Sequence, residues 1–141
     1  MRRRSFCGLF TARDGVGALE FALVAVPFLM LSFGAIEFVR LVWTREALEM
    51  TAIQGARCMG LLAPGCADVT SSKSYIQTVA SGWLITLTSP QINPSYSGAA
   101  ACAGLAEVTI NYTFQTAFPG LLTMLSGGRS LIGHACFPNQ S

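Results

Sequence analysis

From residue 21 to residue 36 the chain reads FALVAVPFLMLSFGAI, sixteen residues without one charged side chain. No other feature constrains the fold as much, because a segment apolar on every side has no face to offer to water. Sixteen residues fall short of the roughly 20 needed to cross ~30 Å of hydrocarbon. Extending the segment to residues 16–40 supplies the length, with Glu20 and Glu37 placed near the two interfaces. The helix between those two glutamates would rise about 25 Å at about 1.5 Å per residue. A transmembrane helix near the N-terminus is therefore expected.

Charge gives that helix a direction. Arg2, Arg3, Arg4 and Arg13 precede it against a single acid, Asp14, whereas the chain from Val16 onward is close to neutral. A basic leader over residues 1–15 predicts a cytoplasmic N-terminus in the inner membrane and a C-terminal part on the periplasmic side. The near-neutral remainder carries no basic footprint for nucleic acid. Overall, charged residues make up 11% of the chain and hydrophobic ones 52%, against roughly 25% charged in soluble domains. Arg3-Arg4-Ser5-Phe6 resembles a twin-arginine signal, but no Ala-x-Ala site follows before Glu37, so a removable signal peptide is not expected.

The cysteines fit an oxidising compartment. Cys7 lies on the leader, which leaves Cys58, Cys66, Cys102 and Cys136 on the exported side. Four cysteines there predict two disulfides, with three pairings open. Cys58 and Cys66 flank a turn containing Gly60, Pro64 and Gly65 and favour each other on loop-closure grounds. Cys102 with Cys136 then follows. A metal site is not expected, since the spacings hold no Cys-x-x-Cys and His134 is the sole histidine. Nothing in the sequence calls for a cofactor.

Helical spacing continues past the membrane segment. Leu41, Leu48, Ala52, Ala56 and Met59 recur on one face, and Arg45 with Glu49 forms an i,i+4 pair. One helix over about 17–59 is expected, with Pro27 kinking it without breaking it. Residues 41–60 would be its extramembrane continuation, and residues 61–141 a small disulfide-stapled head. Within the head, Asp68 or Thr70 caps a short helix over 71–81 that ends at Gly82. Residues 83–88 alternate as a strand, 91–104 read as a loop held by Cys102, and 105–115 form the strongest strand, with Val108, Ile110, Tyr112 and Phe114 on one face. Pro119-Gly120 turns the chain, 121–126 make a helical turn, and 129–137 form a last strand. The expected class is α+β: a long N-terminal transmembrane helix and a head with a short helix and a three- to four-stranded antiparallel sheet. Trp43, Tyr75, Trp83 and Tyr112 read as interfacial or core aromatics.

Catalysis finds little support. A hydrolase needs a nucleophile, a base and an orienting acid, and the head offers one His, two acids (Asp68 and Glu107) and no Gly-x-Ser-x-Gly. The chain is not expected to be an enzyme.

Specific words of the sequence add to this. Arg13-Asp-Gly-Val-Gly-Ala-Leu-Glu-Phe-Ala-Leu-Val opens the apolar helix, Ile36-Glu-Phe-Val-Arg40 closes its apolar part, and Ala56-Arg57-Cys58 lies near its end. Ser81-Gly-Trp83, Val108-Thr-Ile-Asn-Tyr-Thr-Phe114, Phe118-Pro-Gly-Leu-Leu122 and Ala135-Cys-Phe-Pro138 follow. Together these resemble the TadE-like family, minor pseudopilins of the tight-adherence (type IVb) pilus. The resemblance implies that a prepilin peptidase cuts between Gly15 and Val16, which makes Glu20 the fifth mature residue, followed by Phe21. Cutting after Gly17 would place Glu20 third, out of step with that spacing. Val16 departs from the aromatic first residue common among pilins. Glu20 and Phe21 are the implied assembly residues, the carboxylate meeting a neighbouring subunit's free amine in low dielectric. The implied partners are other pilins and pseudopilins, the inner-membrane assembly platform, the peptidase and membrane lipid. The alternative is an uncleaved, single-pass anchored accessory protein of a secretion or envelope complex.

Overall fold

The computed structural model describes residues 14–116 and 129–140. The leader with its four arginines and Cys7 lies outside the described residues, apart from Asp14 and Gly15, as do the Pro119-Gly120 turn and the 121–126 segment. Two compact units divide the chain between Val39 and Arg40.

A single helix, α1 (Asp14–Gly60), provides all that is described of the first unit and opens the second. It runs a few residues beyond the expected ends and stays helical through Pro27. In the first unit its apolar side chains point outward: Phe21, Leu23, Phe28, Met30 and Leu31 are all exposed. Among the described residues it is the one helix long and apolar enough to cross a membrane.

In the second unit α1 has an inner face. Ala47, Leu48, Thr51, Ala52, Ala56 and Met59 are buried, at the spacing of a 3.6-residue repeat. Most are small, which lets neighbouring elements come close. A Cβ added at Gly55 would stand 2.7 Å from Ile76, and one at Gly133 would stand 2.7 Å from the Leu48 carbonyl oxygen. The helix therefore packs backbone to backbone against the strand that carries Gly133.

Helix α2 (Val69–Gly82) begins at Asp68, whose Oδ1 accepts the Ser71 N–H at 2.8 Å while the Ser71 hydroxyl accepts the Asp68 N–H at 3.2 Å. This reciprocal box satisfies two amides that a bare helix start would leave open. Of the two caps the sequence allowed, Asp68 is the one used. Ser72, Ile76 and Ala80 form the buried face of α2.

Two expectations need correction. Residues 83–88 are not a strand. Their alternation is real, since Ile85 and Leu87 are buried, but the backbone is satisfied by the helix before it. Ile85 N–H donates to the Ala80 carbonyl, and Gln77 Nε2 donates to the Leu87 carbonyl at 3.0 Å. Alternating burial needs only an extended chain; a ladder needs a partner edge. The second correction is that 91–104 is not all loop, because β1 (Ile92–Ser95) lies within it. Pro94 disguised this strand. Proline is tolerated at a sheet edge, where its missing N–H breaks no inner ladder, and β1 is the edge of its sheet.

Strands β2 (Ala106–Thr113) and β3 (Ser130–Phe137) complete an antiparallel sheet of order β1-β2-β3. Ala106, Val108 and Ile110 of β2 are buried and pair with Phe137, Ala135 and Gly133 of β3. The core of the second unit gathers Leu48 and Met59 of α1, Ile76 of α2, Ile92 of β1, and Val108 and Ile110 of β2. The α+β class is as the sequence indicates, with three strands among the described residues.

Candidate functional site

The residues implicated by the sequence at the N-terminal end fall on one helical run. Gly15 and Val16 occupy the first turn of α1, and Glu20 follows one turn later. Val16 and Glu20 stand four apart, so they share a face. Val16, Glu20 and Phe21 are all exposed, Phe21 to 75%. Gly17 has open space where a side chain would be. A glutamate standing on an otherwise apolar, uncovered surface is costly in lipid unless something meets its charge.

Glu37 contrasts with it. The sequence made Glu37 an interface anchor, yet its side chain is buried, 8% exposed, while Glu20 is open. Within the apolar unit the two carboxylates therefore sit in different surroundings. Counting charges along the helix could not separate them.

Cys58, Cys66, Cys102 and Cys136 meet in the two pairs favoured above. Cys58 and Cys66 are paired with Cα atoms 5.8 Å apart. They brace the end of α1, where Leu61 N–H, Leu62 N–H and Ala63 N–H fold back onto the carbonyls of Arg57, Met59 and Cys58. Cys102 and Cys136, with Cα atoms 5.7 Å apart, join the loop before β2 to strand β3.

Beside the second pair lies a cluster that the sequence reading missed. His134 Nε2 is 3.0 Å from Glu107 Oε1 and 3.5 Å from Cys102 Sγ. Glu107 Oε2 accepts the Ala99 N–H at 3.0 Å. That amide, and next the imidazole, hold the Glu107 carboxyl below the usual range. Register explains the meeting: Glu107 faces Cys136 and Thr109 faces His134, so Glu107 and His134 are diagonal neighbours on one sheet face. Pairing the two strongest strands in register would have found it. Cys102, His134 and Cys136 could offer three ligand atoms to a metal ion, all within 4.8 Å of one another. Joined to each other, however, the two cysteines supply no thiolate. Nor does the group form a catalytic relay, because both contacts of His134 fall on the same ring nitrogen, Nε2.

A polar pin organises the other side of the second unit. Tyr96 Oη donates to the Cys66 carbonyl at 2.6 Å and lies 2.9 Å from Ser72 Oγ, and the Tyr96 carbonyl accepts from Asn139 Nδ2. Of the aromatics singled out above, Tyr75, Trp83 and Tyr112 pack against the core, and Trp83 also meets Trp43 edge to face with ring centroids 5.9 Å apart.

A model of the TadE-like protein family matches residues 15–57, the stretch that holds Gly15, Glu20 and all of α1 but its ends. No curated protein and no solved structure matches the chain significantly.

Proposed function

We propose that the chain is a minor pilin or pseudopilin of a tight-adherence pilus, anchored in the inner membrane by α1 with its head in the periplasm. In this reading a prepilin peptidase removes residues 1–15, and Glu20 then joins the subunit to its neighbours. The observation that carries it is the family match over residues 15–57, falling on a helix whose apolar side chains are uncovered around an exposed Glu20. That match supports association with a pilus; the subunit role and the cut are our own reading.

The chemistry is simple. Cutting after Gly15 frees the amine of Val16. In a staggered stack of such helices, Glu20 of one subunit meets that amine on the next, and both charges leave water together. Removing the carboxylate leaves an amine buried and unpaired, which is strongly destabilising, about 3–5 kcal/mol for buried pairs in general. Since Gly15 and Val16 lie in the first helical turn, the peptidase must unwind that turn, which is the weakest in any helix.

Two measurements test this. The N-terminal residue of the membrane-extracted protein should be Val16. A terminus at Met1 would instead favour the uncleaved anchor. Glu20→Gln should leave insertion and trimming intact and abolish surface pili or co-purification with other pilins, while Glu20→Asp should restore part of either. Buried Glu37 cannot serve as the silent control. Normal assembly by Glu20→Gln would overturn the proposed pairing.

A further inference from the structure

Two cysteines, a histidine and a glutamate converge on one face of the sheet, and the proposed assembly uses none of them. The strand period puts them there. His134 and Cys136 stand two apart on β3, so both project from one face, and Glu107 of β2 lies directly opposite Cys136 on that face. Cys102 reaches the same place from the loop before β2. That loop closes tightly at Gly98, where a Cβ would stand 2.8 Å from the Cys102 Cβ and 2.8 Å from Glu107 Oε2. The ligand atoms of Cys102, His134 and Cys136 lie within 4.8 Å of one another. His134 Nε2 is 3.5 Å from Cys102 Sγ and 3.0 Å from Glu107 Oε1. One ring nitrogen holds either a proton or a lone pair, which serves two hydrogen-bond partners poorly. A cation among the three would satisfy all of them.

From this geometry we infer that the second unit, in its dithiol form, binds one zinc ion through Cys102 Sγ, Cys136 Sγ, His134 Nε2 and Glu107 Oε1. Tetrahedral zinc, with bonds of about 2.3 Å to sulfur and about 2.0–2.1 Å to nitrogen or oxygen, separates its S and N ligands by about 3.6 Å and its N and O ligands by about 3.3 Å. The separations found, 3.5 and 3.0 Å, are already close to those edges. The sulfurs must part to about 3.8 Å. Side-chain rotation can supply that, since the Cα atoms stand 5.7 Å apart. Two thiolates, an imidazole and a carboxylate are a donor set suited to zinc, whereas calcium and magnesium take oxygen alone. Cys102 is buried but His134 and Cys136 are exposed, so an ion can enter from solvent. Zinc and the disulfide need the same two sulfurs and exclude each other. Opening the disulfide takes up two electrons and two protons, and zinc then displaces those protons from the thiols. The inference depends on neither the anchor nor the pilus.

The test uses the full chain in detergent, reduced by a phosphine that goes to its oxide while water supplies the protons. Freed of reductant without air, the chain should take up one equivalent of cobalt(II), with the intense visible bands of a tetrahedral thiolate-bound ion, and zinc should displace it. Cys136→Ser, His134→Ala and Glu107→Gln should each weaken binding by about tenfold or more. Cys7→Ser, and Cys58→Ser together with Cys66→Ser, should leave one equivalent bound with unchanged affinity. The oxidised chain should bind none. If reduction unfolds the second unit, zinc should restore its near-ultraviolet circular dichroism, because binding is then coupled to folding. Three results overturn the inference: neither tetrahedral cobalt nor refolding by zinc, full binding by Cys136→Ser and His134→Ala, or equal binding by the oxidised chain.

Discussion

Leu31 and Leu48 belong to the same helix and have opposite fates. Leu31 is 75% exposed, and Leu48 is fully buried beneath the sheet. The difference lies in their neighbours along the chain. Around Leu48 the inner face alternates with charged residues such as Arg45, Glu46 and Glu49, so a stripe exists for the sheet to cover. Around Leu31 there is no polar face to spare, and no side of the helix is distinguished for packing. One stretch of α1 is folded by its own chain; the other needs a partner that is not its own chain. Burying a leucine is worth about 1.5–3 kcal/mol, so the second stretch gains that energy only from lipid or from neighbouring subunits.

The contrast makes a sharp expectation. Leu48→Ala should lower the stability of the second unit by about 2–5 kcal/mol, the usual cost of a core cavity. Leu31→Ala should leave that melting transition where it was. Near-ultraviolet circular dichroism of the full chain in detergent follows the transition. If Leu31→Ala moved the midpoint as far as Leu48→Ala, the two stretches would not be independently stabilised and the contrast would fail.

The cysteines sharpen the same contrast at a somewhat smaller scale. Replacing Cys102 and Cys136 together by alanine should cost about 2–4 kcal/mol, chiefly by freeing the unfolded chain. The loss should appear in the melt of the second unit only, with helicity in the membrane-bound stretch unchanged. Non-reducing peptide mapping is the companion measurement. A peptide linking Cys58 to Cys102 would refute the pairing described here.

How much of this was legible beforehand follows a physical line. The helix, the Cys58–Cys66 pair, α2 with Asp68 as one of two candidate caps, β2 and β3 all rest on local signals: period, capping chemistry, loop closure; Cys102–Cys136 followed only by elimination. What escaped required knowing where a distant partner lay. Residues 83–88 alternate as a strand would, but an extended chain can bury Ile85 and Leu87 without a ladder. β1 was hidden by Pro94, whose meaning depends on whether the strand is an edge. Glu107 and His134 meet only through the β2–β3 register. At the proposed assembly site the sequence distinguished Glu20 by its spacing from Gly15. The difference in burial between Glu20 and Glu37 was invisible to it, since burial depends on what surrounds the helix and not on its composition.

The smallest effect concerns acid, and it should again single out the second unit. Two of its carboxyls are held below the usual range: Asp68 chiefly by the Ser71 N–H, and Glu107 by the Ala99 N–H and then His134. A carboxyl whose pKa is lower folded than unfolded adds stability that is complete above the unfolded value and disappears as pH falls through the folded one. The loss should therefore begin only below about pH 4, the ordinary carboxylate range, with the two groups acting in the same direction. Asp68 is exposed and Glu107 only half-buried, so the effect is a modest downward bend in the thermal midpoint and not a collapse. Glu107→Gln should flatten part of the bend, because an amide still accepts the Ala99 N–H but no longer titrates. Asp68→Asn should flatten another part for the same reason, keeping the cap. Melts of the wild type and the two variants from pH 6 to 3 decide the matter. A bend of unchanged depth in both variants would assign the acid sensitivity to other carboxyls, and the hydrogen bonds at Ala99 and Ser71 would not be its origin.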